Sequence, residues 1–145
     1  MYQRILIPTD GSVFSERAIR HGVDLAKAVG ADVVAIHVVQ PLHIGTPRAL
    51  IPADLAATVR DQLHKIAEEN LAAVEKAARE AGVAVDTVRE RGDHPWEAIL
   101  QTAKQKGCDL IVMASHGRHG LGAMVLGSET QKVLTHPTIP VLVVR

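Results

Sequence analysis

Cysteine is nearly absent from this chain: Cys108 is the only one in 145 residues. One thiol cannot close an internal disulfide, so the fold is expected to rest on its core, and a reducing compartment fits that chemistry. Cys108 borders an apolar run, where a small buried thiol is the commonest use of the residue. Aromatic side chains are as scarce, with only Tyr2, Phe14 and Trp96, too few and too scattered to stack the bases of a single strand. Charge of one sign is missing too. The 16 basic residues balance the 16 acidic ones, which removes the electrostatic case for nucleic acid or an anionic membrane surface as partner. No apolar run approaches the roughly 18 residues that span a bilayer, and no charged-then-apolar leader precedes the first strand-like run. These absences predict a cytoplasmic protein whose partners are small molecules or other proteins.

What is present is an alternation of strand-like and helix-like runs, the mark of an α/β fold with a parallel sheet. The length suits a single domain over residues 1–145. Five runs rich in Val, Ile and Leu are expected as strands over 3–7, 32–39, 84–89, 110–114 and 141–144, buried on both faces. Between them helices are expected over 12–29, 53–81, 95–106 and 128–135. Ser12 and Ser128 read as their N-caps, Gly30, Gly82 and Gly107 as terminators, and Pro95 as a first-turn proline. In the longest helix Leu55, Val59, Leu63, Ile66, Leu71, Val74 and Ala78 recur at helical spacing and are expected to face the core. The segment 40–52, with three prolines and a glycine, forbids a regular element. It leaves the carboxyl end of the second strand, and a ligand lid and an ordinary long connection are equally good readings of it.

The most informative stretch follows the fourth strand: Ala114-Ser-His-Gly117-Arg-His-Gly120-Leu-Gly122-Ala-Met-Val-Leu-Gly127-Ser128. A strand that empties into a glycine-rich loop and then a helix brings backbone N–H groups close to an anion, and phosphate binding is the chemistry this suggests. Gly122 and Gly127 have P-loop spacing, but Ser128 follows Gly127 directly and no lysine is placed for β- and γ-phosphates. The turn after the first strand, Pro8-Thr9-Asp10-Gly11-Ser12, has one glycine where a dinucleotide fingerprint needs three. Neither a P-loop NTPase nor a standard NAD or FAD site fits.

Gly117, nine intervening residues, Gly127 and Ser128 do fit a pattern, and here the chain resembles the universal stress protein family over its whole length. Arg4-Ile-Leu-Ile-Pro-Thr-Asp-Gly-Ser12 looks like the family's first strand and Asp-bearing turn, and Ala35-Ile-His-Val-Val39 like its second strand. Gly127-Ser-Glu-Thr-Gln-Lys-Val-Leu134 and Pro140-Val-Leu-Val-Val-Arg145 resemble its last helix and strand. The resemblance implies a Rossmann-like open five-stranded parallel sheet of order 3-2-1-4-5 with helices on both faces. It also implies ATP, taken with Mg2+, as the ligand. The motif of ATP-binding members opens with a further glycine, separated from Gly117 by two residues, where this chain has Ala114.

In that sheet the point where chain direction reverses lies between strands one and four, and ligands bind beyond the carboxyl ends of strands at such points. The resemblance then places Pro8, Thr9 and Asp10 along the nucleotide, with Asp10 facing ribose hydroxyls or a metal-bound water, and Val38 offering backbone groups to the adenine edge. Ala114, His116, Gly117, Gly120, Gly127 and Ser128 would border the phosphates, with Arg118 and His119 adding charge at the rim. Asp10 also reads as an Asx-turn residue shaping the strand-to-helix turn. Glu129, one residue past the phosphate site, either repels a triphosphate or serves its helix as a dipole partner. The eight histidines form no metal-ligand signature, and His37, inside a strand, reads as a core histidine with a backbone partner. Adjacent Ser115 and His116 lack an orienting acid, so no nucleophilic triad is expected and any ATP hydrolysis is expected to be slow. Three function classes stay open: an ATP-responsive regulatory or stress-resistance factor, a nucleotide-free dimeric interaction module, and an enzyme on the same α/β scaffold, for which the fold gives no guidance. The last strand, 141–144, is apolar and outermost, and the resemblance implies that a second copy covers it to make a homodimer.

Overall fold

Strand and helix runs do alternate along the chain. In the computed structural model, which describes residues 1–41, 51–117 and 125–145, they form β1 (Arg4–Pro8), α1 (Val13–Val29), β2 (Asp32–Val39), α2 (Ala53–Ala81), β3 (Val85–Arg91), α3 (Pro95–Gln105), β4 (Leu110–Ala114), α4 (Ser128–Thr135) and β5 (Val141–Val144). The strands make one sheet of order β3-β2-β1-β4-β5, and every pairing is parallel. The expected order 3-2-1-4-5 is the observed one. Among the described residues no helix is long and apolar enough to cross a membrane.

Alternation along each strand divides the core into two layers. Ile5, Ile7, Val33, Ala35 and Val112 pack with Ala18, Ile19 and Val23 of α1 and Leu71, Val74 and Ala78 of α2. Leu6, Val34, Ile36 and Ile111 turn to the other face, against Ile99 and Ala103 of α3 and Val133 of α4. Helices therefore cover both faces of the central strands, whose continuous apolar runs need burial on each side. β3 departs from that expectation. It is an edge strand whose residues are half-buried or exposed, because only β2 pairs with it.

The helix signals work at the level of single residues. Ser12 is the N-cap of α1 and its side chain accepts from the Ser15 N–H. Gly30 and Gly82 close α1 and α2 in the left-handed conformation, at φ 75 and 74°, where a Cβ is disfavoured. Three expectations need correction. The N-cap of α4 is Gly127, not Ser128: Gly127 has extended backbone (φ −58°, ψ 151°), and its carbonyl accepts the first helical bond from Gln131 N–H at 2.9 Å. The stripe of α2 enters the core only from Ala67 onward, with Leu55 half exposed, since the 29-residue helix outruns the sheet it packs on. Strand ends move by one or two residues. β1 begins at Arg4 because the carboxylate of Asp109 accepts from the N–H groups of Gln3 and Arg4, at 2.8 and 3.0 Å. The segment proposed as a lid or long connection lies, over residues 42–50, outside the described residues.

Candidate functional site

β1 and β4 pair only through Ile5↔Leu110 and Leu6↔Ile111, and beyond those pairs the two chains diverge. A cavity of about 220 Å³ opens there, at the carboxyl ends of the strands. Of the twelve site residues expected from the sequence, ten line it: Pro8, Thr9, Asp10, Val38, Ala114, His116, Gly117, Gly127, Ser128 and Glu129. Arg118 and Gly120, with His119, lie outside the described residues.

One wall is the end of β2. The Ile36 carbonyl accepts from Thr9 N–H at 2.9 Å, the last bond between the two strands before the β1 chain turns off. Residues two apart in a parallel strand direct their backbone groups to the same neighbour. The N–H and C=O of Val38 therefore point to the side that β1 has vacated, whereas Val39 bonds the other way, its carbonyl accepting from Gly92 N–H at 3.1 Å. An apolar floor is added by Ile36, Ile99 and Met113. Sequence reading missed these three, along with Ser15, Gln40, Pro95 and Thr130, which also line the cavity. Period two along β2 linked Ile36 to Val38, and helical spacing linked Pro95 to Ile99; only the docking of α3 put them at the cavity.

The opposite wall is the β4-to-α4 junction. Gly127 N–H donates to the Ser115 carbonyl at 2.8 Å, and the buried Thr130 hydroxyl donates to the Ala114 carbonyl at 2.9 Å. Both bonds pin the first turn of α4 to the end of β4. Among the described residues no side chain caps that turn, which leaves its leading N–H groups for an anion at the positive end of the helix dipole. Space for a side chain is tight around it: a Cβ on Gly127 would stand 3.3 Å from the Ser115 carbonyl oxygen, and one on Gly117 would stand 2.6 Å from Asp10 Oδ2, which would have to move.

Asp10 does both things that the sequence allowed. Its Oδ1 accepts from Ser12 N–H at 2.9 Å, an Asx turn that shapes the entry to α1, while the residue lines the cavity. Thr9 is buried and its carbonyl lies 3.0 Å from His37 Nδ1, so His37 is the backbone-bonded core histidine expected of it. Glu129 is engaged both within its own helix and beyond it. Its Oε2 accepts from Trp96 N–H at 2.9 Å, in the first turn of α3, and Lys132 Nζ lies 3.6 Å from Oε1. Its charge is thus answered by the amino end of a neighbouring helix and a lysine. Asp10 and Glu129 are the only charged side chains among the described residues lining the cavity. Among the described residues no cluster of three or more His, Cys, Asp or Glu is gathered for a metal ion. Ser115 and His116 bond to each other, with Oγ 2.9 Å from Nδ1, and among the described residues no carboxylate orients the pair.

Comparison with known proteins gives a consistent picture. The family model described as "Universal stress protein family" matches residues 1–145. A universal stress protein of Methanocaldococcus jannaschii is 37% identical over 146 residues, spanning 100% of this chain and 83% of that protein. A solved structure of another universal stress protein of the same organism superposes with a TM-score of 0.81 at 30% identity, covering 99% of this chain and 96% of that one. The structure of a universal stress protein in complex with cAMP superposes with a TM-score of 0.73 at 25% identity, covering 99% and 97%.

Proposed function

The chain belongs to the universal stress protein family, and we propose that it is an ATP-binding member, a regulatory or stress-resistance factor that responds to nucleotide. The observation that carries this is the convergence of β1, β2 and the β4–α4 junction on one cavity with a separate surface for each part of a nucleotide. The vacated backbone edge at Val38, over the Ile36, Ile99 and Met113 floor, suits the donor and acceptor pattern of adenine. Asp10 lines the same cavity, and ribose hydroxyls or a Mg2+-bound water would meet its carboxylate. The uncapped first turn of α4, with Gly117 and Gly127 leaving room for close approach, suits phosphates. A relative's structure in complex with cAMP supports a nucleotide ligand in this fold.

ATP supplies a difference in free energy between two states of the protein, and it shifts them only by its differential affinity for each. With no lysine among the described lining residues, hydrolysis is at most slow. The functional unit is a homodimer joined through β5.

A second reading, a nucleotide-free dimeric interaction module, is favoured by one observation: Ala114 lines the cavity where ATP-binding relatives carry the first glycine of their motif. One experiment separates the two. The purified protein is denatured and the released small molecules analysed, after which ATP with magnesium is titrated by calorimetry. Copurified or titratable ATP is expected, and Gly117→Ala should abolish binding, since its Cβ displaces the Asp10 carboxylate. A protein that ignores millimolar ATP would overturn the proposal in favour of the interaction module.

A further inference from the structure

His116 is 8% exposed and forms part of the cavity wall, yet its Nε2 is the one buried side-chain nitrogen or oxygen among the described residues without a hydrogen-bond partner. Buried polar atoms are almost always paired, and an exception calls for an explanation. The other nitrogen is accounted for: Nδ1 lies 2.9 Å from Ser115 Oγ.

The direction of that bond decides what Nε2 can do. If Nδ1–H donated to Oγ, two groups would be stranded in a buried place, the serine hydroxyl hydrogen and the Nε2 lone pair. If the serine hydroxyl donates to Nδ1, its hydrogen is used and a single N–H is stranded on Nε2. The second arrangement leaves the smaller deficit. It makes His116 a donor, in a wall that continues into Gly117 and faces the first turn of α4, where the other available groups are also donors.

We propose that the Nε2–H of His116 is reserved for a phosphoryl oxygen of the bound nucleotide, and that Ser115 is a positioning residue that holds the ring in the donating tautomer. This rests on the nucleotide reading above and adds to it the group that distinguishes a nucleotide from its nucleoside. Nε2 is closed to solvent, so the ligand oxygen reaches it only when the imidazole or a side chain packed on it turns. Phe14, whose ring is 5.4 Å from the imidazole and which is 38% exposed, is the packed neighbour freest to do so.

The test compares AMP with adenosine by calorimetry and reads the His116 tautomer from imidazole 15N shifts. In the wild type the shifts should report Nε2–H, and AMP should bind more tightly than adenosine. His116→Phe should lower the ratio of AMP to adenosine affinity roughly ten- to hundredfold, the range of a hydrogen bond to a charged group. His116→Gln, which restores an N–H near the same place, should recover most of the loss. Ser115→Ala should mix the tautomers and lose part of the preference, which a purely structural serine would not do. Should His116→Phe fail to fold, Ser115→Ala and His116→Gln carry the comparison. An Nδ1–H signature, or an AMP-to-adenosine ratio untouched by these variants, would overturn the role of His116 while nucleotide binding stands. A wild type that binds AMP, adenosine and ATP not at all would overturn both.

Discussion

Asp109 holds together the two strands on which the cavity depends, and pH exposes its contribution. Burial alone would push its carboxyl up, but hydrogen bonds from the backbone N–H groups of Arg4 and Gln3 outweigh this and hold it below the usual 3.8. A carboxyl depressed in the folded state contributes stability that is present above its unfolded pKa and lost as pH falls through the folded one. Stability to urea should therefore be level near neutrality and fall below about pH 4. Asp109→Asn keeps one acceptor and loses the charge; it should destabilise the protein by roughly 1 kcal/mol at pH 7 and make the acid slope shallower. The slope does not vanish, because Asp86 is held low by its hydrogen bond from Lys106. Equal slopes in wild type and variant would show that Asp109 is not linked to folding. Cys108 beside it behaves as the sequence suggested: burial pushes its thiol up to about 11, so at neutral pH it is an un-ionised, apolar filler.

Helix α1 lies against the sheet at the distance that Gly22 permits. A Cβ there would stand 2.5 Å from Ile7 Cδ1 and 3.5 Å from Val112 Cβ, and Ile7 is fully buried, so its Cδ1 would have to shift within the core. Gly22→Ala gains up to about 1 kcal/mol of helix propensity and meets overpacking of about 1–3 kcal/mol, so a net loss near 1 kcal/mol is expected in urea denaturation. Ile7→Val removes the atom in the way. The double variant should be more stable than the sum of the two single losses by at least roughly 0.5 kcal/mol; strict additivity would mean that α1 is not seated on Ile7. Elements such as this helix were legible in the chain because apolar period, Ser12 and Gly30 all point to the same span. The half-exposed start of the α2 stripe was not, since periodicity says which face is apolar and nothing about how far the sheet beneath it extends. Ten of the residues that line the cavity were legible from the loop glycines and the resemblance, but the Glu129-to-Trp96 bond, spanning 33 positions, and the Ser115–His116 pair became visible only with the packing of α3 and α4.

The two edges of the sheet differ in a way that bears on the whole assembly. β3 carries Asp86, Arg89, Glu90 and Arg91, charges that oppose pairing with another strand. β5 carries none, pairs among the described residues only with β4, and leaves Leu142 42% and nearby Leu134 37% exposed. An apolar, uncharged edge is where a second copy would add, and a two-fold axis there sets the two β5 strands antiparallel. Light scattering should then give twice the 15.5 kDa chain mass, and Leu142→Lys, which puts a charge on that edge, should give the monomer. None of the described residues that line the cavity belongs to β5. The monomeric variant should accordingly bind nucleotide with wild-type affinity, so that ligand recognition and assembly separate. If Leu142→Lys stays dimeric, another surface makes the contact. If it becomes monomeric and loses the nucleotide, the cavity is completed or held in shape by the partner copy, and response to nucleotide is a property of the dimer.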